Sequence, residues 1–222
     1  KARLIAAHQL ECSADDLEFA GGVFSVKGSP DRAVPMAAIA FAAFTAHNLP
    51  DGLEPNLEAQ YTYDPPNFSW PFGTHMCVLE VDTETGQIEI LKYVAVDDCG
   101  VQINPLIVEG QVHGGVVQGL AQALFEEAVY DTDGNLKTTT LAEYLVPAAS
   151  DVPSITTAHT VTPSPTNQLG VKGIGEAGTI GAASTVINAV VDALSGIGVT
   201  SMPMPASPQT VWRAIQSAAK AK

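Results

Sequence analysis

The stretch from Asp51 to Gly73 constrains this chain more than any other. It carries Tyr61, Tyr63, Pro65-Pro66, Asn67, Phe68, Trp70, Pro71 and Phe72. Proline removes a backbone donor and bars the preceding turn from being helical, so neither a helix nor a central strand can run through it. The chain therefore divides into an N-terminal helix and strand segment (1–50), an ordered Pro/aromatic connection (51–75) and a core (76–222). A length of 222 residues suits one large domain or two small ones. With 46% hydrophobic and 15% charged residues the chain has the apolar content of a folded protein, which excludes a disordered tail.

Within the first segment, residues 1–11 have the spacing of an amphipathic helix. Leu17–Phe19 and Val23–Val26 read as short strands around Gly21-Gly22, and Met36–His47 reads as an Ala-rich helix. In the core, Met76–Asp82 and Gln87–Val96 alternate apolar and polar residues around D-T-E-T-G. This predicts a hairpin with Gly86 at positive φ. Asp97-Asp98-Cys99-Gly100 reads as a turn. Asn104-Pro105 then starts a helix, asparagine as N-cap and proline at the first helical position, which is expected to run to Glu127. A second hairpin is expected from Ala128–Asp131 and Leu136–Thr140, and Ile155–Thr162 is a further strand candidate. A helix carrying Val186, Ile187, Val190, Val191 and Leu194 is expected to stop at Gly196, and Ser207-Pro208 caps a last helix before an AAKAK tail. The fold class is α+β, antiparallel hairpins packed with helices.

Ten Lys and Arg against 24 Asp and Glu give a formal net charge of −14. Binding phosphate backbones or anionic lipid requires clustered cations, so no nucleic acid partner and no membrane insertion are expected. The apolar run Val186–Val191 is broken by Asn188 and followed by Asp192, short of the roughly 20 residues a bilayer needs. Cys12, Cys77 and Cys99 form no C-x-x-C pair and read as three buried thiols. That argues against an iron–sulfur or structural zinc site and suits a reducing, cytoplasmic compartment. The chain opens in mid-helix at Lys1 with no signal-peptide layout, which raises the expectation that it is part of something longer.

Two segments could carry chemistry. On the helix from Pro105, Val108, Val112, Val116, Leu120 and Leu124 form a packing stripe. Gln111, Gly115, Gln118 and Gln122 form a second, uncharged stripe with Gly114 and Gly119 nearby. Glycines in a helix cost about 1 kcal/mol each relative to alanine, so they mark either a close helix crossing or a ligand approaching the backbone. The second segment, Gly170-Val171-Lys172-Gly173-Ile174-Gly175-Glu176-Ala177-Gly178-Thr179, sets four glycines around a lysine and a carboxylate just before a helix, whose free N–H groups favour negative charge. Its GIGEAG satisfies G-x-G-x-x-G, but Pro163 and Pro165 precede it where a dinucleotide site needs a buried strand. Glu176 is either a residue favoured by the helix dipole or, if apolar surroundings made it basic, a general base. His8, His47, His75, His113 and His159 form no metal-binding spacing, and no metal ligand is expected from this chain. His113 shares the glycine-rich helix but faces another way from Gln111.

Three segments carry a resemblance: EGQVHGGVVQGLAQALFEE, TPSPTNQLGVKGIGEAGTIGAASTVINAVVDAL and MPASPQTVWRAIQ. Together they resemble the carboxy-terminal region of the large, molybdenum-binding subunit of the xanthine dehydrogenase superfamily. YDPPNFSWPFGTH followed by VLEVDTETGQIEI is similar to its aerobic carbon monoxide dehydrogenase branch. The likeness covers nearly the whole chain, in order, so that 1–222 would be the C-terminal portion of a molybdopterin-binding domain.

The resemblance implies an oxidoreductase whose large subunit holds molybdenum on a molybdopterin, commonly as a cytosine dinucleotide in bacteria. Such enzymes, which include aldehyde oxidases, oxidise carbon monoxide, an aldehyde or an N-heterocycle with water as the oxygen source. A hydroxo ligand on molybdenum adds to the substrate carbon while a glutamate beside the metal acts as base. Glu176 stands where the family's G-x-G-E motif places that glutamate. Gln111 matches a glutamine that hydrogen-bonds the cofactor, and Lys172, Gly173 and Gly175 fall in the loop lining the pterin. FAD and iron–sulfur clusters would sit on partner subunits, with the rest of the large subunit completing a dimer of heterotrimers. None of the three cysteines lies in a copper-holding loop. The alternative is an isolated fragment or assembly module with no activity by itself.

Overall fold

A computed structural model of the chain describes residues 1–220, so the last two residues of the AAKAK tail lie outside it. It divides into two compact units, Lys1–Asp64 and Pro65–Lys222.

The first unit comprises α1 (Ala2–Gln9), β1 (Leu17–Ala20), β2 (Val23–Val26), β3 (Ser29–Pro35) and α2 (Met36–Thr45). The three strands form an antiparallel meander. Ile5, Leu17, Phe24, Ile39 and Ala43 make its core. β3 is not expected from the sequence, because Ser29-Pro30-Asp31-Arg32 has no apolar alternation. It forms at an edge, where exposed polar residues are tolerated.

The second unit contains β4 (Phe72–Val81), β5 (Ile88–Asp98), α3 (Pro105–Leu124), β6 (Ile155–His159), α4 (Ala177–Leu194) and α5 (Pro208–Lys220). β4 and β5 pair antiparallel around the D-T-E-T-G turn, with Gly86 at φ 79° as expected. A side chain there would also strike the Pro208 carbonyl. The Asn104 side chain accepts a hydrogen bond from the Ile107 N–H and Pro105 opens α3, the start expected from local chemistry.

Several expectations need correction. Ile155–His159 is a strand, but it lies parallel to β5 (Tyr93↔Ile155), so the sheet order β4-β5-β6 is mixed. The second hairpin is reduced to a single bridge, Tyr130↔Leu136, within an otherwise irregular stretch. Asp131 accepts the N–H groups of Asp133 and Asn135 and so makes the turn, but Tyr130 and Leu136 stay exposed and give the flanks nothing to bury. α3 ends at Leu124, and α4 ends at Leu194 in a 3₁₀ turn closed by Gly198 at φ 103°. Among the cysteines only Cys99 is buried.

α3 and α4 cross on the helix face of the sheet. A Cβ on Gly119 would stand 2.6 Å from the Ala182 Cβ, and one on Gly178 would stand 2.6 Å from the Val112 carbonyl. The Thr179 hydroxyl donates to the Gly115 carbonyl at 3.1 Å. These glycines therefore serve a backbone-to-backbone crossing. Tyr93, Ala95, Val116, Ala182 and Val186 fill the layer between helices and sheet. The stretch Ala177–Ile197 is long and apolar enough to cross a bilayer; within this chain its Ala182 and Val186 face this core, and its Val190 and Leu194 face a second one with Met202, Val211 and Ile215.

Candidate functional site

The site grows from the end of β5. Beyond Asp98 the backbone turns at Gly100 (φ 67°) and pairs with a distant segment through the bridge Gly100↔Val171. The Lys172 N–H donates to the Cys99 carbonyl at 2.8 Å and the Val101 N–H to the Gly170 carbonyl at 3.0 Å. On the other side of this seam the Asn167 amide donates to the Val171 carbonyl (2.9 Å) and accepts from the Val171 N–H (3.1 Å). An otherwise irregular loop is thus stitched to the sheet just before Gly173.

Lys172 is the first of the expected site residues, and its side chain turns inward. Nζ lies 3.1 Å from Asp98 Oδ1, with side-chain exposures of 7% and 0%, and 4.6 Å from the centre of the Phe72 ring. Burial alone would raise the Asp98 carboxyl. Hydrogen bonds from the Gly100 N–H, Thr162, Thr160 and Lys172 outweigh it and hold the group well below the usual carboxylate range. The Cys99 thiol beside them is pushed up by burial.

Past Lys172 the chain comes to the surface. Gly173, Gly175 and Glu176 are exposed, and nothing stands within 4 Å of where a Cβ on Gly173 would be. Glu176 occupies the N-cap of α4, yet its side chain makes no capping hydrogen bond, which leaves its carboxylate available. Gln111, exposed on α3, brings Oε1 to 3.7 Å from the Cβ position of Gly175. Gln111, Gly173, Gly175 and Glu176 therefore share one open edge beside the helix crossing, while the Lys172 amine holds the loop from behind. His113 lies on the same helix, half-buried, with Nε2 buried and unpartnered.

This edge offers a neutral amide, exposed glycine backbone and one carboxylate. The amide and the glycine backbone can satisfy a flat polar ring system without adding charge, and the carboxylate is the one charged acceptor beside them. No cluster of His, Cys, Asp or Glu among the described residues could hold a metal ion. Sequence reasoning missed Asp97, Asp98 and His75, reading the acids as part of a turn. Their signal was weak: two carboxylates ending a strand whose preceding residues alternate.

The molybdopterin cofactor-binding domain family matches residues 1–153. The chain belongs to that family. The chain is 45% identical over 216 residues to the carbon monoxide dehydrogenase large chain of Hydrogenophaga pseudoflava, covering 97% of the chain and 27% of that relative. It is 42% identical over 211 residues to the nicotine 6-hydroxylase large subunit of Paenarthrobacter nicotinovorans, covering 95% and 26%. The crystal structure of a Cu,Mo-CO dehydrogenase in its carbon monoxide reduced state superposes with a TM-score of 0.90 at 39% identity, covering 98% of this chain and 27% of that one. The α+β fold is thus that of a molybdenum enzyme's large subunit, and the chain spans about a quarter of the length of these relatives.

Proposed function

We propose that this chain forms one wall of the active site of a molybdenum hydroxylase, an oxidoreductase acting on carbon monoxide, an aldehyde or an N-heterocycle with water as oxygen source. The observation that carries the reading is the meeting of Gln111 with Gly175 next to an uncapped, exposed Glu176. Gln111 and the backbone of Gly173 and Gly175 would hold a molybdenum–molybdopterin group in its cytosine dinucleotide form. When bound, that group supplies the redox centre for a two-electron oxidation. Lys172 contributes by anchoring the loop through Asp98, so that the glycine backbone stays presented to the ligand. Glu176 would take the proton released as the new carbon–oxygen bond forms.

The reading extends to partners on the strength of the relatives, whose names call them a large chain and a large subunit. It includes the remaining part of the large subunit, iron–sulfur and flavin subunits carrying the clusters and FAD, a dimer of heterotrimers and a cytoplasmic location. A second reading is that this chain by itself is a structural or assembly module without activity. Molybdenum analysis separates the two: about one metal per chain on purification supports the wall, and none in a folded chain without partners supports the module.

Two substitutions in the holoenzyme test the assignments. Glu176→Gln should leave molybdenum content intact and lower turnover about 10²- to 10⁴-fold, the range for loss of a general base; near-normal turnover overturns its role. Gln111→Ala should lower molybdenum retention, and unchanged loading and kinetics would make Gln111 a surface residue.

A further inference from the structure

The proposed chemistry makes no use of a buried polar group behind α4. His75 on β4 and Asp97 on β5 lie diagonally across the sheet, near its site end, with side-chain exposures of 3% and 5%. His75 Nε2 is 3.5 Å from Asp97 Oδ1, and Nδ1 is 2.9 Å from the hydroxyl of the fully buried Tyr93, whose ring it meets edge-on. Asp97 Oδ2 is buried without a partner.

Two glycines make room for this pair. Gly73 lies opposite Asp97, and a Cβ there would run into the carboxylate; a Cβ on Gly181 would stand 2.6 Å from His75 Nδ1. Gly181 belongs to the second turn of α4. The first turn stands over a cavity of about 140 Å³ lined by Phe72, Gly73, His75, Asp97, Ala177 and Ile180. The imidazole is thus a rigid support on the sheet side of a helix start that is otherwise underpacked.

Successive residues of a strand point to opposite faces. Asp98 reaches Lys172 at the start of the Glu176 loop, and Asp97 reaches, through His75, the helix turn just after it. We propose that the His75–Asp97 pair is a positioning device for the start of α4. With the Asp98–Lys172 pair it fixes both ends of the segment 172–181, and so sets where the Glu176 carboxylate points. An apolar side chain of similar size could fill the space, but it would lack the hydrogen bond to Tyr93 and the polar contact with Asp97 that fix the ring's orientation. The consequence for catalysis rests on Glu176 being the base; the positioning itself does not.

The experiment is hydrogen exchange on the holoenzyme carrying His75→Leu, with Gly181→Ala as a second variant that displaces the ring from the helix side. Exchange at the amides of Ala177, Ile180 and Gly181 should accelerate about tenfold, while amides at the Gly86 end of the hairpin are unchanged. Turnover per molybdenum should fall about tenfold at unchanged KM, as displacement of a reacting group does. Asp97→Asn, which keeps the shape and one acceptor, should retain most of it. Adding His75→Leu to Glu176→Gln should cost nothing further if the pair acts through that carboxylate. Unchanged exchange at the start of α4, or exchange raised equally through the whole unit, overturns the proposal. Local acceleration combined with full activity of Glu176→Gln would sustain the positioning device and remove only the base.

Discussion

At the scale of single residues, Asp98 decides how the loop before Glu176 behaves. It is fully buried and accepts from the Gly100 N–H, the Thr160 hydroxyl and Lys172 Nζ. Removing one partner of a buried ion pair leaves the other charge uncompensated, so Lys172→Met should destabilise the second unit by roughly 3 kcal/mol, read from the urea midpoint. A loss within a few tenths would mean that water replaces the lysine. Because the folded carboxyl is held below its unfolded value of about 3.9, unfolding takes up a proton in the interval between the two. The contribution is therefore complete above that unfolded value and is lost as pH falls through the folded one. Urea midpoints measured from about pH 5 downward should fall more steeply in the native chain than in Asp98→Asn, and identical slopes would refute the assignment. None of this was visible in the sequence, where Asp97-Asp98 looks like any polar turn; a carboxylate's burial depends on Lys172 and Thr160, far away along the chain.

Among the elements, what was legible was local. Alternation around D-T-E-T-G specified β4 and β5, and Asn104-Pro105 specified the start of α3, because a turn or a cap is made by neighbours in sequence. The direction of β6 was not legible, since a five-residue strand carries no mark of its partner. The glycines of α3 were correctly flagged but ambiguous. Gly115 and Gly119 prove to serve the crossing with α4, whereas Gly110 and Gly114 face open space and Gln111 faces the loop. The two sets should respond oppositely. Gly119→Val forces the helices apart and should cost about 1–3 kcal/mol, while Gly114→Ala should stabilise by about 0.5–1 kcal/mol. Thermal unfolding of both variants checks the contrast, and a neutral Gly119→Val would mean the crossing can slide. The site itself was legible chiefly through its resemblance to known enzymes: spacing alone left Gln111 and Glu176 with ordinary alternatives, and an exposed carboxylate at a helix start and an exposed glutamine beside a loop are compatible with those alternatives as well as with the proposed roles.

For the molecule as a whole, the mixed sheet has a consequence in time as well as in space. β4 and β5 are joined by a tight turn, so they can pair as soon as that turn forms. β6 must return to β5 from across α3 and a long irregular stretch, and the seam joining Cys99 and Gly100 to Val171 and Lys172 closes a longer excursion still. Closing long loops costs chain entropy before any contact repays it. In a refolding reaction sampled by pulsed hydrogen exchange, the amides of β5 facing β4 should be protected first and those of Val101 and Lys172 last; simultaneous protection would contradict this order. The seam is also what carries the Glu176 loop. On that order the edge bearing Gln111 and Glu176 would be the last part of the unit to take shape, and a group bound there would be captured by a chain that has otherwise finished folding.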